Sequence, residues 1–270
     1  MTIPWPIAVI TVKEGVRNRA FYGITLIALM LSLANYLISG MIPQEVGKVS
    51  VDIALSTVSF AGLLLVFFVG INLITKDLDR RTIYIVLSRP VSRSQYVIGK
   101  FIGMALLIIA VVLCLSIFTT ATIWLLKVSY PGYFPRFSWN MVLLAISFIT
   151  LSLVLLSAVS FFFASFTSSS FLTLILTMIS YVIGQSLNDV KALVEGPSAA
   201  GIVPSPVIVK LVQTAYYLFP NLSLFDIKTQ AAHSLPLAPS YIFWTAIYGL
   251  VYTVLVISAA AFLFRKKELP

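Results

Sequence analysis

Six long apolar segments decide what this chain can fold into. They cover residues 21–41, 52–75, 98–126, 140–165, 171–187 and 240–264. Because about 20 apolar residues in a helix cross the hydrocarbon core of a bilayer, each segment is long enough, or nearly so, to span a membrane. The third segment is long enough to tilt or project. The fifth is short, and Gly184 and Gln185 predict that its helix breaks near its end.

The composition indicates the same class of protein. Hydrophobic residues make up 60% of the 270 residues and charged residues only 10%, against roughly 25% charged in ordinary soluble domains. A soluble globule could not cover so much apolar side chain with so little polar surface. We therefore predict an all-α membrane protein in which residues 1–270 form a single transmembrane domain with six spans.

The distribution of Lys and Arg predicts the orientation of the spans. Of these 18 cations, 12 lie in the leader, the connection after the second segment and the C-terminal tail, and 6 lie in the remaining connections. Since cytoplasmic loops carry the excess of Lys and Arg, both termini are predicted to be cytoplasmic. The net charge of +9 thus reflects membrane orientation, and no basic run interleaved with aromatic residues indicates nucleic-acid binding.

The leader, residues 1–20, is predicted to form an amphipathic helix in the membrane interface. One stripe of the helix contains Trp5, Ala8, Val9, Val12 and Val16. The residues mostly opposite are Thr11, Lys13, Glu14, Arg17 and Asn18. Trp5 is the expected interfacial anchor. The alternative is a charged lead-in to the first span.

The connection before the sixth segment, residues 188–239, contains 6 of the 13 prolines and is still largely apolar. Within it, 206–219 is predicted to be helical, Pro220 to break the helix, and 221–234 to form a second helical piece. Apolar helices on the outer side need burial, so we expect short helices that return into the outer leaflet against the spans. The alternative is a small extracellular cap.

The connection between the second and third segments, residues 76–97, is too long for a simple turn. Its first part, 77–87, is predicted to be a helix with acidic residues in its first turn, which favour a helix N-terminus, followed by an apolar half. Pro90 ends this helix because the residue before a proline leaves the α region. Ser92 is predicted to cap the next helix. The alternative, a positively charged topology anchor, explains the arginines but not the apolar half.

Motifs for chemistry are absent from the sequence. There is no G-x-x-x-x-G-K-[ST] phosphate loop, since Gly99-Lys100 is followed by Phe101 and preceded by no glycine-rich stretch. His233 is the single histidine, and we predict no catalytic residue and no metal site. No ionisable residue lies near the centre of an apolar segment, which counts against an ion-coupled carrier and an intramembrane hydrolase.

Three stretches resemble type-2 ABC transporter permeases, in particular stand-alone bacterial permeases of about this length. The stretches are VKEGVRNRAF, DLDRRTIYIVLSRPVSRSQYVIGKF and YLFPNLSLFDIKTQAAHSLPL. The Lys-Glu pair of the family's leader is matched by Lys13-Glu14. The acid, Thr, Pro, Arg and Gly-Lys of the family's loop are matched by Asp77 or Asp79, Thr82, Pro90, Arg93 and Gly99-Lys100. Arg81 stands where the family commonly has glycine.

The resemblance implies the membrane half of an ATP-driven exporter in a bacterial or archaeal cytoplasmic membrane. Its expected partners are a second permease copy, the lipid bilayer and separately encoded ATPase subunits, which would carry ATP and Mg²⁺; this chain would hold no cofactor and would not be an enzyme. The expected ATPase contacts in the loop are Asp77, Arg80, Arg81, Thr82, Tyr84, Leu87, Arg89, Pro90 and Arg93. The competing hypotheses are an ion-coupled secondary carrier or channel, and a membrane-embedded enzyme or assembly subunit.

Overall fold

The computed structural model describes residues 5–41, 45–79, 92–134, 137–167, 169–195 and 206–267. Ten α-helices lie within these ranges, and no strand does. They are α1 Trp5–Val16, α2 Arg19–Met41, α3 Val46–Leu64, α4 Ile71–Asp79, α5 Arg93–Ser129, α6 Trp139–Phe166, α7 Ser170–Glu195, α8 Pro206–Leu218, α9 Lys228–Ala232 and α10 Pro239–Lys266. A π-helical turn, Leu65–Gly70, joins α3 to α4 without interrupting the helix.

Six of the helical stretches are long and apolar enough to cross a membrane. We number them spans 1 to 6, and they cover Arg19–Met41, Val46–Leu73, Arg93–Ser129, Trp139–Phe166, Ser170–Leu193 and Pro239–Lys266. This confirms the predicted fold class, an all-α membrane protein with six spans. Span 3 has 37 residues and is about 55 Å long at about 1.5 Å per residue, so it exceeds the hydrocarbon core of a bilayer, which is about 30 Å thick.

The predicted break in the fifth segment is wrong. Helix α7 runs for 26 residues through Gly184 and ends at Glu195. Gly184 instead permits a close contact, because a Cβ atom there would lie 2.6 Å from the carbonyl oxygen of Pro220. The glycine therefore marks where another segment packs against the helix.

Spans 2 and 4 form the centre of the bundle. In each, 61% of the most apolar window is buried, compared with 22% in span 1 and 28% in span 5. The small hydroxyl side chains of the spans mostly donate to carbonyl groups of their own helices, as Ser160 does to Ser157 over 2.7 Å and Thr177 to Thr173 over 2.7 Å. Side chains bonded in this way let neighbouring helices approach closely.

The segment before span 6 contains the helices predicted for it. Helix α8 ends at Leu218, Pro220 follows, and the second piece is divided into a 3₁₀ turn, Leu222–Phe225, and the short helix α9. The 3₁₀ turn packs on α6 and α7, and α9 packs on α3 and α6. Their depth in a bilayer stays a prediction.

Candidate functional site

Helix α1 lies against the first half of α5, at the end of the bundle that we call the α1 end. Its buried residues are Ala8, Thr11 and Gly15. Opposite them is Gly103, where a Cβ atom would lie 2.6 Å from the Thr11 Cβ and 2.7 Å from the Ala8 carbonyl oxygen. Small residues spaced three or four apart on α1, facing a glycine of α5, allow this close packing.

The structure shows which side chains of the leader helix the bundle covers. Thr11 was expected on the polar face, but it is fully buried, and its hydroxyl donates to the Ile7 carbonyl over 2.8 Å. Trp5 and Val9, expected on the apolar stripe with Ala8, are exposed, Trp5 by 55%. The helix thus buries its smallest side chains in the bundle and leaves the larger apolar ones uncovered. Its placement in a membrane interface stays a prediction.

Glu14 joins α1 to two other helices. One carboxylate oxygen, Oε2, accepts a hydrogen bond from Lys100 Nζ of α5 over 3.1 Å. The other, Oε1, accepts from Lys76 Nζ of α4 over 3.2 Å. Since the two lysines flank the connection between spans 2 and 3, a single carboxylate links the leader to both sides of that connection.

Lys100 is the buried member of this group. The residue is only 4% exposed, and its Nζ also donates to the Leu73 carbonyl over 3.0 Å and lies 6.0 Å from the centre of the Tyr96 ring. A buried ammonium group is costly unless it is paired and hydrogen-bonded. The side chain of Glu14 is 28% exposed and that of Lys76 46%, so the Glu14–Lys100 pair is the shielded half of the network.

The end of span 6 and the tail that follows it contact spans 3 and 4 at the α1 end. Lys267 Nζ donates to the carbonyl groups of Thr167 over 2.6 Å and Ala164 over 3.3 Å, at the end of span 4. Arg93 Nη1 donates to the Lys267 carbonyl over 2.6 Å. The rings of Tyr96 and Phe264 stack with their centres 6.0 Å apart. These contacts tie the end of span 6 to the start of span 3 and the end of span 4.

Most of the predicted ATPase-contact residues lie outside the described residues. They are Arg80, Arg81, Thr82, Tyr84, Leu87, Arg89 and Pro90. Asp77 was expected at the start of a new helix, but its backbone belongs to the last turns of α4, which continues from span 2. The helix of span 2 thus continues past residue 75, the predicted end of the apolar segment, to Asp79.

At the other side of the connection, the predicted cap is confirmed. Ser92 Oγ accepts from the Gln95 amide over 3.3 Å, and Gln95 Oε1 accepts from the Ser92 amide over 3.0 Å, which forms a capping box at the start of α5. Arg93, an expected ATPase contact, bonds to the chain's own C-terminal tail. Its predicted contact with the ATPase stays a prediction.

Glu14 and Lys100 belong to separate sequence motifs, and neither motif predicts that the two residues pair. One signal could have done so. Glu14 is the only acidic residue before Glu45, and Lys100 lies just inside an otherwise uncharged apolar segment. An ionisable residue at such a position is expected to have a partner of opposite charge.

A family model described as ABC-2 family transporter protein matches residues 5–269 of this chain. The match covers the leader helix, all six spans and the tail. No curated protein matches the chain.

Proposed function

The chain belongs to the ABC-2 family of transporter proteins and is a multi-pass membrane permease of an ABC transporter; we propose that it works as an exporter powered by a separately encoded ATPase. The observation that carries the proposal is the Glu14 network. It connects the leader helix to both flanks of the connection in which the family resemblance places the ATPase contact.

The network gives a physical route for coupling. When ATP binding draws the two ATPase subunits together, the connection between spans 2 and 3 is displaced. Its flanks are α4 and α5, and both are bonded to Glu14 of α1. Spans 2 and 3 and the leader helix would then move as one rigid unit, which is a common form of switching transition.

The tail extends this route to the rest of the bundle. Lys267 is bonded to the end of span 4, and its carbonyl accepts from Arg93 at the start of span 3. A displacement of span 3 would therefore reach spans 4 and 6 without passing through the apolar interior.

We propose that a second permease copy and lipid cover the least buried spans. Spans 1 and 5 have 22% and 28% of their apolar windows buried within the chain. Mass measurement of the purified complex in mild detergent should give two permeases with two ATPase subunits. A complex with one permease would contradict this part of the proposal.

The proposed orientation places the α1 end in the cytoplasm. Cysteines introduced at Ser94 and Ser198 in a Cys114→Ser background test it with a membrane-impermeant thiol reagent added from outside. We expect labelling at position 198 and not at position 94. The reverse pattern would overturn the orientation.

The ATPase contact is tested in the connection itself. Tyr84 and Leu87 lie three residues apart, on one face of the predicted helix, so we expect Tyr84→Ala or Leu87→Ala to weaken the complex by more than about 1 kcal/mol each. Arg80→Ala and Arg89→Ala should cost less, because exposed ion pairs contribute roughly 0–1 kcal/mol. Pull-down of the ATPase encoded by the neighbouring gene measures both. The opposite ranking would show that Arg80 and Arg89, and not Tyr84 and Leu87, contribute most of the binding free energy.

The requirement for a partner ATPase is tested by reconstitution. The purified chain alone should not hydrolyse ATP, whereas the chain co-purified with the neighbouring ATPase should show ATP turnover that Glu14→Gln reduces. Hydrolysis by the isolated chain, or transport driven by an ion gradient without any ATPase, would contradict the proposal. The second result would favour an ion-coupled carrier.

A further inference from the structure

A second group of cations lines an open cleft beside α1. The cleft has a volume of about 770 Å³ and lies between α1, the turn into α2, and α4. Its walls include Ile10, Lys13, Glu14, Arg17, Arg19 and Lys76. The turn at Asn18, whose side chain accepts from the Ala20 amide over 3.0 Å, holds the two arginines on either side of the corner.

The charge of the cleft is not balanced by its own residues. Glu14 is the one acidic side chain in its walls, and that carboxylate is already shared by Lys76 and Lys100. Lys13, Arg17 and Arg19 are exposed, and none of the ion pairs within the described part of the chain includes them. Three cations that converge on a concave surface create a positive potential and attract an anion.

The cleft also has an apolar wall. Ile10 is 62% exposed there. A free phosphate ion would bind the cations and leave the Ile10 side chain uncovered. A ligand with an anionic head and an apolar tail would bind the cations and also cover the apolar wall. Arg binds phosphate oxygens through paired N–H groups, and Lys acts as a point charge.

We propose that this cleft binds the phosphate head group of an acidic phospholipid. Lys13, Arg17 and Arg19 hold the phosphate, and the acyl chains cover Ile10. The lipid then fixes the corner between α1 and span 1, next to the carboxylate of Glu14. The proposal requires only membrane insertion, so it does not depend on the proposed export activity.

The test measures lipid retention by the purified chain, without any ATPase. The chain is placed in detergent micelles doped with equal amounts of phosphatidylglycerol and phosphatidylcholine, and bound lipid is counted by native mass spectrometry. Arg17→Gln/Arg19→Gln removes two cations from the cleft. Arg265→Gln/Lys266→Gln is the matched control, because it removes two exposed cations from the same end of the bundle.

We expect the wild type to retain phosphatidylglycerol selectively and the cleft variant to bind it at least about tenfold more weakly, since each Lys or Arg near an acidic head group contributes appreciably. The control should change by less than about twofold. If the double variant does not fold, Lys13→Gln gives a smaller loss in the same direction. Equal losses in cleft variant and control would show non-specific attraction and overturn the proposal.

Two further arms separate the sources of the anion. Inorganic phosphate and glycerol phosphate are added as competitors, and neither should displace the lipid at equal concentration. Displacement by either would overturn the lipid assignment. The cleft variant is also tested for ATPase pull-down in phosphatidylcholine alone. If the cleft variant retains phosphatidylglycerol as well as the wild type does but no longer binds the ATPase, the cleft is a protein-docking surface and the proposal is overturned.

Discussion

Two regions of the helical bundle are held together by different interactions. At the α1 end, long charged side chains join helices that are far apart in sequence, as Glu14 joins Lys76 and Lys100. In residues 219–232, the segment that includes α9 and that we call the α9 end, neutral groups and backbone make the contacts. The Asn221 amide donates to the Tyr248 hydroxyl over 2.9 Å, and Gly184 packs on the Pro220 carbonyl.

The ion pair of the α9 end is local. Asp226 and Lys228 form an ion pair of 3.3 Å, but they are two residues apart and join no separate helices. The Glu14 pairs cross 62 and 86 residues. Among the described residues, carboxylate–lysine pairs therefore connect separate helices at the α1 end, whereas the pair at the α9 end lies within one turn.

The difference indicates which end can move. Close packing against backbone tolerates no added atom and no sliding, because interiors are packed at crystal density. An attraction between charges weakens only slowly with distance, and long Lys and Glu side chains can follow one another. We infer that the α9 end is a fixed closure. At the α1 end, α1 is also packed closely on Gly103 of α5, and the Glu14 joint carries α4 along with α1 and α5 when the connection between spans 2 and 3 is displaced.

The largest expected effect is at the fixed end. Gly184→Leu places a side chain where even a Cβ atom would lie 2.6 Å from the Pro220 carbonyl oxygen, so we expect a loss of about 3 kcal/mol in unfolding free energy, at the upper end of the usual cost of overpacking. Gly23→Leu is the control, since no atom lies within 4 Å of a Cβ there. Unfolding by denaturing detergent measures both. Equal effects would show that close packing at Gly184 is not what holds this end.

The next effect is at the joint. Glu14→Gln leaves Lys100 buried without its carboxylate, a loss that costs several kcal/mol in fully buried pairs. Because the Glu14 side chain is 28% exposed, we expect a smaller loss, of about 2 kcal/mol in unfolding free energy, in the same assay.

Glu45→Gln is the matched control for Glu14→Gln. A hydrogen bond of 2.9 Å from Lys48 holds the pKa of Glu45 below its usual 4.5, so the control also removes a charged pair at neutral pH. Since Glu45 and Lys48 are both exposed, we expect no measurable change. A control as damaging as Glu14→Gln would indicate a general sensitivity to charge.

A smaller effect is expected from the polar bonds of the fixed end. Asn221 is 3% exposed, and its Nδ2 donates to Asn188 Oδ1 over 2.7 Å. Asn221→Ala removes this bond and leaves the Asn188 oxygen without its donor, which should cost about 1–2 kcal/mol. Asn140→Ala, at an exposed position of α6, should leave the unfolding free energy unchanged. An unchanged unfolding free energy for Asn221→Ala would show that this hydrogen bond does not stabilise the fixed end.

The smallest effect is expected at the more exposed ion pair of the joint, Lys76–Glu14. The side chain of Lys76 is 46% exposed, and exposed ion pairs contribute roughly 0–1 kcal/mol. Lys76→Gln should therefore cost less than Glu14→Gln, because Glu14 keeps its bond to Lys100. If Lys76→Gln were the more damaging change, the shielded pair would not be the main link.

The spans were predictable because the length of an apolar segment is a local property. The pairing of Glu14 with Lys100 was not, because 86 residues separate them and only the packing of α1 on α5 brings them together. Gly184 was misread for a related reason. A glycine in a helix can mark an end or a close contact, and the contacting Pro220 lies on another segment.

The most direct test of the joint is a double-mutant cycle between Glu14→Gln and Lys100→Met, measured as unfolding free energy in detergent micelles. We predict that the double variant is less destabilised than the sum of the single variants by at least about 1 kcal/mol, because Glu14→Gln deprives the buried Lys100 ammonium of its carboxylate and this loss cannot recur once Lys100 is replaced. Additive losses would contradict the claim that this pair joins the leader helix to span 3.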